Sequence, residues 1–253
     1  MLSKKLKGKT ALITGASKRI GREISLALAQ EGVSVAIHYC NSGKDARKLR
    51  AELIDLGVNA WAIGADFEKA KEYNPLISRT LKLTGKLDIL INNASLFLPD
   101  TLQQMNYEEL IKHIQVNAWV PFVLSRQFAK VTLKGKIINL LDTRIKGYDQ
   151  QHVAYILSKR MLSTLTKFTA LEFAPKITVN GIAPALILPP KGKNKRYLDR
   201  MVHTAPLKRH GDPRDVAEAV IYLLKSDYVT GQLINVDGGL NLMEYAYGPH
   251  LNP

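Results

Sequence analysis

Short runs of consecutive apolar residues alternate along the chain with longer stretches in which apolar residues recur every three or four positions. The runs at residues 10–15, 34–39, 60–66, 87–94, 136–142, 177–182 and 232–236 read as strands. The segment 20–31 carries Ile20, Ile24, Ala27 and Leu28 at helical spacing and is closed by Gly32. Helices are also predicted over 44–56, closed by Gly57, over 107–131 and over 151–173. Strands that are apolar throughout, separated by helices, predict a parallel sheet buried on both faces. Right-handed crossovers make such a sheet doubly wound. The expected architecture is α/β: one Rossmann domain over residues 1–253, with a seven-stranded parallel sheet. Residues 185–206 break the rhythm with Pro189-Pro190, a basic cluster at Lys191, Lys193, Lys195 and Arg196, and Pro206. So long an irregular stretch reads as a substrate lid.

Composition narrows the class. Of 253 residues, 46% are hydrophobic and 23% charged, as in a soluble globular protein. No apolar run approaches a bilayer span, and the basic N-terminus lacks the apolar core of a secretory signal. Cys40 is the one cysteine, so an internal disulfide is excluded and no cysteine-based metal site is expected; a cytoplasmic location follows. The net charge of +14 attracts anions, but on composition alone it reads as a lysine-rich surface that keeps the protein soluble. Nucleic-acid binding lacks support, because no basic stretch is interleaved with stacking aromatics and no recognition motif is present. The lid cations read as solvated charges, with attraction of an anionic substrate tail as the lesser alternative.

The end of the first predicted strand, Thr14-Gly15-Ala16-Ser17-Lys18-Arg19-Ile20-Gly21, has the makings of a phosphate cradle. Gly15 permits a tight turn, Gly21 permits close helix–strand packing, and the helix start offers N–H groups to a pyrophosphate. Lys18, Arg19 and Arg22 there oppose the helix dipole unless an anion is bound. The second strand ends in His38-Tyr39-Cys40-Asn41-Ser42 with no carboxylate to bond a ribose 2′-hydroxyl. NADPH is therefore favoured over NADH, which is not excluded. Cys40 reads as structural.

Tyr155 and Lys159 lie one helical turn apart. A nearby ammonium lowers a phenol's pKa, which predicts a general acid able to exchange its proton near neutrality. Asp142 ends the fifth strand, and Asn93 and Ser95 end the fourth, so all face one crevice. For Asp142 the competing reading is a cap on the following turn, ranked lower here.

Taken together, Thr14-Gly15…Gly21, Asn92-Asn93-Ala94, Asn117, Tyr155-x-x-x-Lys159, Asn180-x-x-Ala183-Pro184 and Val236-Asp237-Gly238-Gly239 resemble the short-chain dehydrogenase/reductase superfamily over nearly the whole chain. The resemblance implies hydride transfer to or from NAD(P). It implies Tyr155 as proton donor, Lys159 on the nicotinamide ribose, and Asn117 holding a relay water. It also implies cofactor contacts at Gly15, Ser17, Lys18, Arg19, Ile20, Gly21, His38, Tyr39, Asn41, Ser42, Asp66, Phe67, Asn93, Ala94, Ser95, Pro184 and Leu186. Homotetramers are the implied assembly, with a small molecule as the other partner and no membrane.

Three departures point further. Asp142 stands where the superfamily carries serine, and Ser95 and Arg19 stand where it carries glycine. That combination resembles the pteridine and dihydromonapterin reductases, with Phe97 where a ring stacks on the pterin. Arg19, Ser95, Phe97, Asp142 and Tyr155 are then the substrate contacts. Asn41 departs from that branch, which has an arginine there. An ionised carboxylate cannot donate to a ketone oxygen but suits a ring rich in N–H groups. The expected activity is NADPH-dependent reduction of a dihydropterin or dihydrofolate-type ring. A 3-oxoacyl-thioester or general carbonyl reductase is the alternative, and a non-catalytic dinucleotide- or nucleic-acid-binding module a remote one.

Overall fold

The computed structural model describes residues 6–190 and 192–245. In chain order it has β1 (Thr10–Ile13), α1 (Arg19–Gln30), β2 (Ser34–Tyr39), α2 (Gly43–Asp55), β3 (Ala60–Gly64), α3 (Ala70–Tyr73), α4 (Leu76–Thr84), β4 (Ile89–Asn92), α5 (Tyr107–Ile114), α6 (Val120–Val131), β5 (Gly135–Leu140), α7 (Val153–Phe173), β6 (Ile177–Pro184), α8 (Lys195–Met201), α9 (Pro213–Lys225) and β7 (Leu233–Val236). The strands form one parallel sheet in the order β3-β2-β1-β4-β5-β6-β7. This is the doubly wound architecture that the alternation predicts, and its order reverses between β1 and β4. Ligands in such sheets bind at that reversal, beyond the carboxyl ends of the strands.

Side chains alternate along each strand, so each feeds two cores. Ala11, Ile13, Val35, Ile37, Ile91 and Ile138 pack under α1 and α9, with Leu28, Val220 and Leu224 opposite. Leu12, Ala36, Leu90, Ile137 and Val179 pack on the other face with Ile77, Leu124 and Phe128. None of the described helices is long and apolar enough to cross a membrane.

The structure corrects several boundaries. The long helix expected over 107–131 is α5 and α6 joined by a wider π-turn segment, Gln115–Trp119. The lid segment holds α8 and a short 3₁₀ turn, Val202–Thr204, rather than irregular chain throughout. Lys191 of its basic cluster lies outside the described residues. The helices α3, α4 and α9 were not read from the sequence. For α9 the signal was present. Asp212 accepts from Arg214 N and completes a capping box with Asp215, ahead of Val216, Val220 and Leu223 at helical spacing.

Candidate active site

The first loop is shaped by contacts that leave no room for larger residues. Gly15 has φ +61°, and a Cβ there would come 3.0 Å from Ala94 Cα. A Cβ on Gly21 would meet Gly15 O at 2.5 Å and Asn93 Nδ2 at 2.6 Å. Thr14 links the two strand ends: its hydroxyl accepts from Asn93 N and Ala94 N, each at 2.9 Å. Asn93 Nδ2 donates to Thr14 O (2.8 Å) and Gly15 O (3.0 Å). Asn93 is thus a clamp on the loop, and Thr14 is a shaping residue that the sequence reading left out of the site. No side chain caps α1 at Lys18. The bare helix start and the close glycine packing fit a pyrophosphate.

The cations there do not wait unpaired. Lys18 pairs with Asp45 at 3.0 Å, Arg22 pairs with Glu52, and Arg19 Nη2 donates to Pro189 O at 2.9 Å. Lys18 and Arg22 therefore behave as a paired basic patch, contrary to the expectation that they need an anion. Arg19 has φ +55°, the left-handed region that glycine occupies freely. Arg19→Gly is expected to stabilise the unliganded protein by about 0.5–1 kcal/mol, the relief of that strain less the entropy of glycine. Urea unfolding at constant m checks this, and an unchanged or lower midpoint counts against it.

Beneath the loop, His38 is buried and fully engaged. Gly15 N–H donates to its Nδ1 (3.2 Å), so its Nε2 carries the proton and donates to Ala65 O (2.9 Å). Its ring stacks on Phe67 at 4.4 Å. The side chains of His38 and Phe67, both expected at the cofactor site, support the loop from the core. Burial pushes the His38 pKa down from 6.5 to about 4. The unfolded chain therefore binds the extra proton between those values. Stability is full above pH 6.5 and falls as pH drops toward 4, with a total cost of about 3 kcal/mol. His38→Gln is expected to flatten that part of the stability–pH curve, measured by urea unfolding at pH 7 and pH 4. An unaltered slope in the variant would refute the assignment.

At the neighbouring strand ends, Ser17 and Ser42 share a hydrogen bond of 2.6 Å. Tyr39 is half-buried and packs on Gly43 and Gly64. Asp66 is engaged by Glu68 N (3.0 Å) and Lys69 (3.2 Å). Asn41 is exposed beside Cys40. Cys40 is exposed too, so it has no structural role in the core. Pro184 is buried at the end of β6, and Leu186 follows at φ +49°.

Tyr155, Asp142 and Lys159 come together where β5 meets α7. Tyr155 OH donates to Asp142 Oδ2 at 2.9 Å. The other oxygen, Oδ1, accepts from Arg144 N at 2.8 Å and caps the 3₁₀ turn Thr143–Ile145. The capping role that sequence reasoning ranked lower is real, and the carboxylate performs it with the oxygen that faces away from the phenol. Lys159 is buried and donates to Leu140 O at 2.7 Å, with Nζ 5.8 Å from the Tyr155 ring centroid. Burial pulls its pKa down to about 8. Burial first, then the charge and hydrogen bond of Asp142, push the Tyr155 phenol well above its usual range. The expectation that Lys159 brings it toward neutrality is corrected: burial and Asp142 outweigh the more distant ammonium and keep the proton on Tyr155.

Neighbouring residues fix the loop after β4. Asn117, fully buried in the π turn, accepts from Leu96 N (2.7 Å) and Ser95 Oγ (3.2 Å). Its amide donates to Leu96 O and Ser158 Oγ, each at 2.9 Å. That uses the side chain's hydrogen-bonding capacity, so the main-chain carbonyl is the part of Asn117 left for a relay water. Ser95 is exposed at the crevice. Phe97 stacks on His152 (4.2 Å) and meets Tyr155 edge-on (4.7 Å). Asp100, a residue the sequence reading passed over, accepts from Ala154 N at 3.0 Å and supplies the first turn of α7 with the cap that His152 does not. Among the described residues, no group of three or more His, Cys, Asp or Glu could hold a metal ion.

A family model described as enoyl-(acyl carrier protein) reductase matches residues 15–241. The chain belongs to the short-chain dehydrogenase/reductase superfamily. It is 36% identical to the 3-oxoacyl-(acyl-carrier-protein) reductase FabG of Staphylococcus epidermidis, over 92% of this chain and 98% of that one. A short-chain dehydrogenase/reductase of Pestalotiopsis microspora is 31% identical over 93% of this chain and 96% of its own length. Among solved structures, FolM alternative dihydrofolate reductase 1 of Brucella canis, complexed with NADP, superposes with a TM-score of 0.90 at 30% identity, covering 97% of both chains. The superfamily is one of oxidoreductases.

Proposed function

We propose that this protein is an NADPH-dependent reductase of a pterin ring, with Tyr155 as the proton donor. The observation that carries this reading is the Asp142 carboxylate 2.9 Å from the Tyr155 hydroxyl. A hydroxyl at that place serves a ketone, whereas a carboxylate accepts hydrogen bonds from ring N–H and amino groups. Asp142 orients the ring and holds the phenol protonated. Tyr155 then gives its proton to the ring nitrogen as that atom gains electron density. Phe97 and Ser95 line the ring's position. The NADP in the FolM structure supports the same cofactor here. The first loop from Gly15 to Gly21 would hold its pyrophosphate, Ser42 and Arg19 its 2′-phosphate, and Lys159 its nicotinamide ribose. The cofactor supplies the hydride. Residues 185–206 would cover the substrate. Leu157, Met161, Phe168 and Leu171 form an exposed apolar stripe along α7, which supports assembly into a homotetramer.

The 36% identity to a 3-oxoacyl thioester reductase favours the second reading, a ketone-type substrate on the same fold. Following NADPH oxidation against dihydropterins, dihydrofolate and acetoacetyl thioesters separates them. A dihydropterin is expected to exceed the thioester in kcat/KM by roughly tenfold or more, since a hydrogen bond to a charged group is worth about 1.5–3 kcal/mol. The opposite order would establish the second reading.

A further inference from the structure

We propose that Arg144 is the positioning residue of the proton-donor site: one guanidinium fixes the Asp142 carboxylate against Tyr155 and the Phe97 ring beside it. The proposal rests on the reading of Tyr155 as proton donor. It adds a cation that neither the tyrosine–lysine pair nor the first loop contains.

Arg144 follows Asp142 by two residues on the 3₁₀ turn, and its side chain is 35% exposed. Its Nη1 lies 3.8 Å from Asp142 Oδ2, the oxygen that accepts the Tyr155 proton. Its Nε lies 3.3 Å from Asp149 Oδ2. Its Cζ sits 5.2 Å from the Phe97 ring centroid, a cation–π distance. The far anchor is itself braced, because His152 Nδ1 donates to the same Asp149 oxygen at 2.7 Å while its ring stacks on Phe97. Asp149, Arg144 and Asp142 therefore form a carboxylate–guanidinium–carboxylate bridge across the base of the site. The planar guanidinium can serve two carboxylates and an aromatic face at once, which an ammonium does less well.

The other charged and titratable groups around it act elsewhere. Lys159 is turned to Leu140 O. Arg160 donates to Ile145 O and Gly147 O, and Lys146 to Asn241 Oδ1. Asp237 accepts from Thr143 and Asn241. Arg144 is the cation whose charge acts on the Tyr155 phenol, pulling it down against burial and Asp142.

The test compares kcat–pH profiles of the full-length protein carrying Arg144→Met, Arg144→Gln or Arg144→Lys. The assay uses NADPH with a dihydropterin, or with an acetoacetyl thioester if the unaltered protein prefers that. Each variant is made alone and with Asp142→Asn, which removes the carboxylate's upward push and brings the basic limb into reach. Met and Gln are expected to move that limb upward by about one pH unit, because loss of a nearby cation favours the protonated phenol. KM for substrate should rise several-fold as Phe97 loses its contact. Lys should restore the limb but not KM. A limb that stays put in both Met and Gln variants on the Asp142→Asn background, or a KM that stays put in both with Asp142 intact, overturns the proposal; Gln covers a Met variant that fails to fold. Tyr155→Phe is the separate control: retained activity there defeats the proton-donor reading itself.

Discussion

Tyr155→Phe is expected to lower kcat by roughly 10²–10⁴-fold, the usual contribution of a positioned general acid. NADPH affinity should change little, because the phenol's one hydrogen bond is to Asp142 and not to the first loop. Steady-state turnover and fluorescence titration with NADPH separate the two effects. Since burial and Asp142 hold the phenol well above its ordinary range, the proton stays in place as pH rises through neutrality. A reductase needs that state, so the activity of the unaltered protein should not decline between about pH 7 and 9 through loss of this proton. Turnover persisting in the phenylalanine variant would remove Tyr155 from the reaction.

Asp142→Ser is the more discriminating change. Serine also caps a turn, so the 3₁₀ segment after β5 keeps its first hydrogen bond and the fold should survive. What disappears is the negative charge. Reduction of a dihydropterin is expected to fall roughly 10–100-fold in kcat/KM, the value of a hydrogen bond to a charged acceptor. Reduction of a ketone should hold or improve, because a hydroxyl can donate to its oxygen. Parallel losses on both substrates would mean that Asp142 has no part in choosing between them. The phenol should also drop toward its ordinary pKa, since two of the causes holding it up are gone.

The sheet was legible because its strands are apolar on both faces, as Ala11, Leu12 and Ile13 illustrate, and because tight βα turns need glycine where Gly15 and Gly21 stand. The position of Asp142 at the end of β5 was legible for the same reason. Its partition between a cap and the phenol was not, because only the turn geometry assigns one oxygen to each. The inward turn of the His38 and Phe67 side chains was not legible, because a strand end reads alike whether its side chain turns to the crevice or to the core. Asp100 and Arg144 carry no local pattern at all. Asp100 meets α7 from 54 residues away, and Arg144 matters only because three separate elements converge on it. The short helices α3 and α4 gave too few turns for periodicity to show.

The wider turn at Gln115–Trp119 has a consequence for how this chain can change. A π bulge is, in effect, one residue more than a regular helix would hold. Removing that surplus residue would let α5 run straight into α6 as regular helix, with the turns on either side keeping their faces. Val120, Leu124 and Phe128 would stay in the core, and what would be lost is the widened turn that holds Asn117 against Leu96 and Ser158. The same deletion made within α6 has no such slack and would swing every later side chain by about 100° around the axis, so it should be far more damaging to the fold. The spare length of this segment serves the loop it ties down, not the helices it joins.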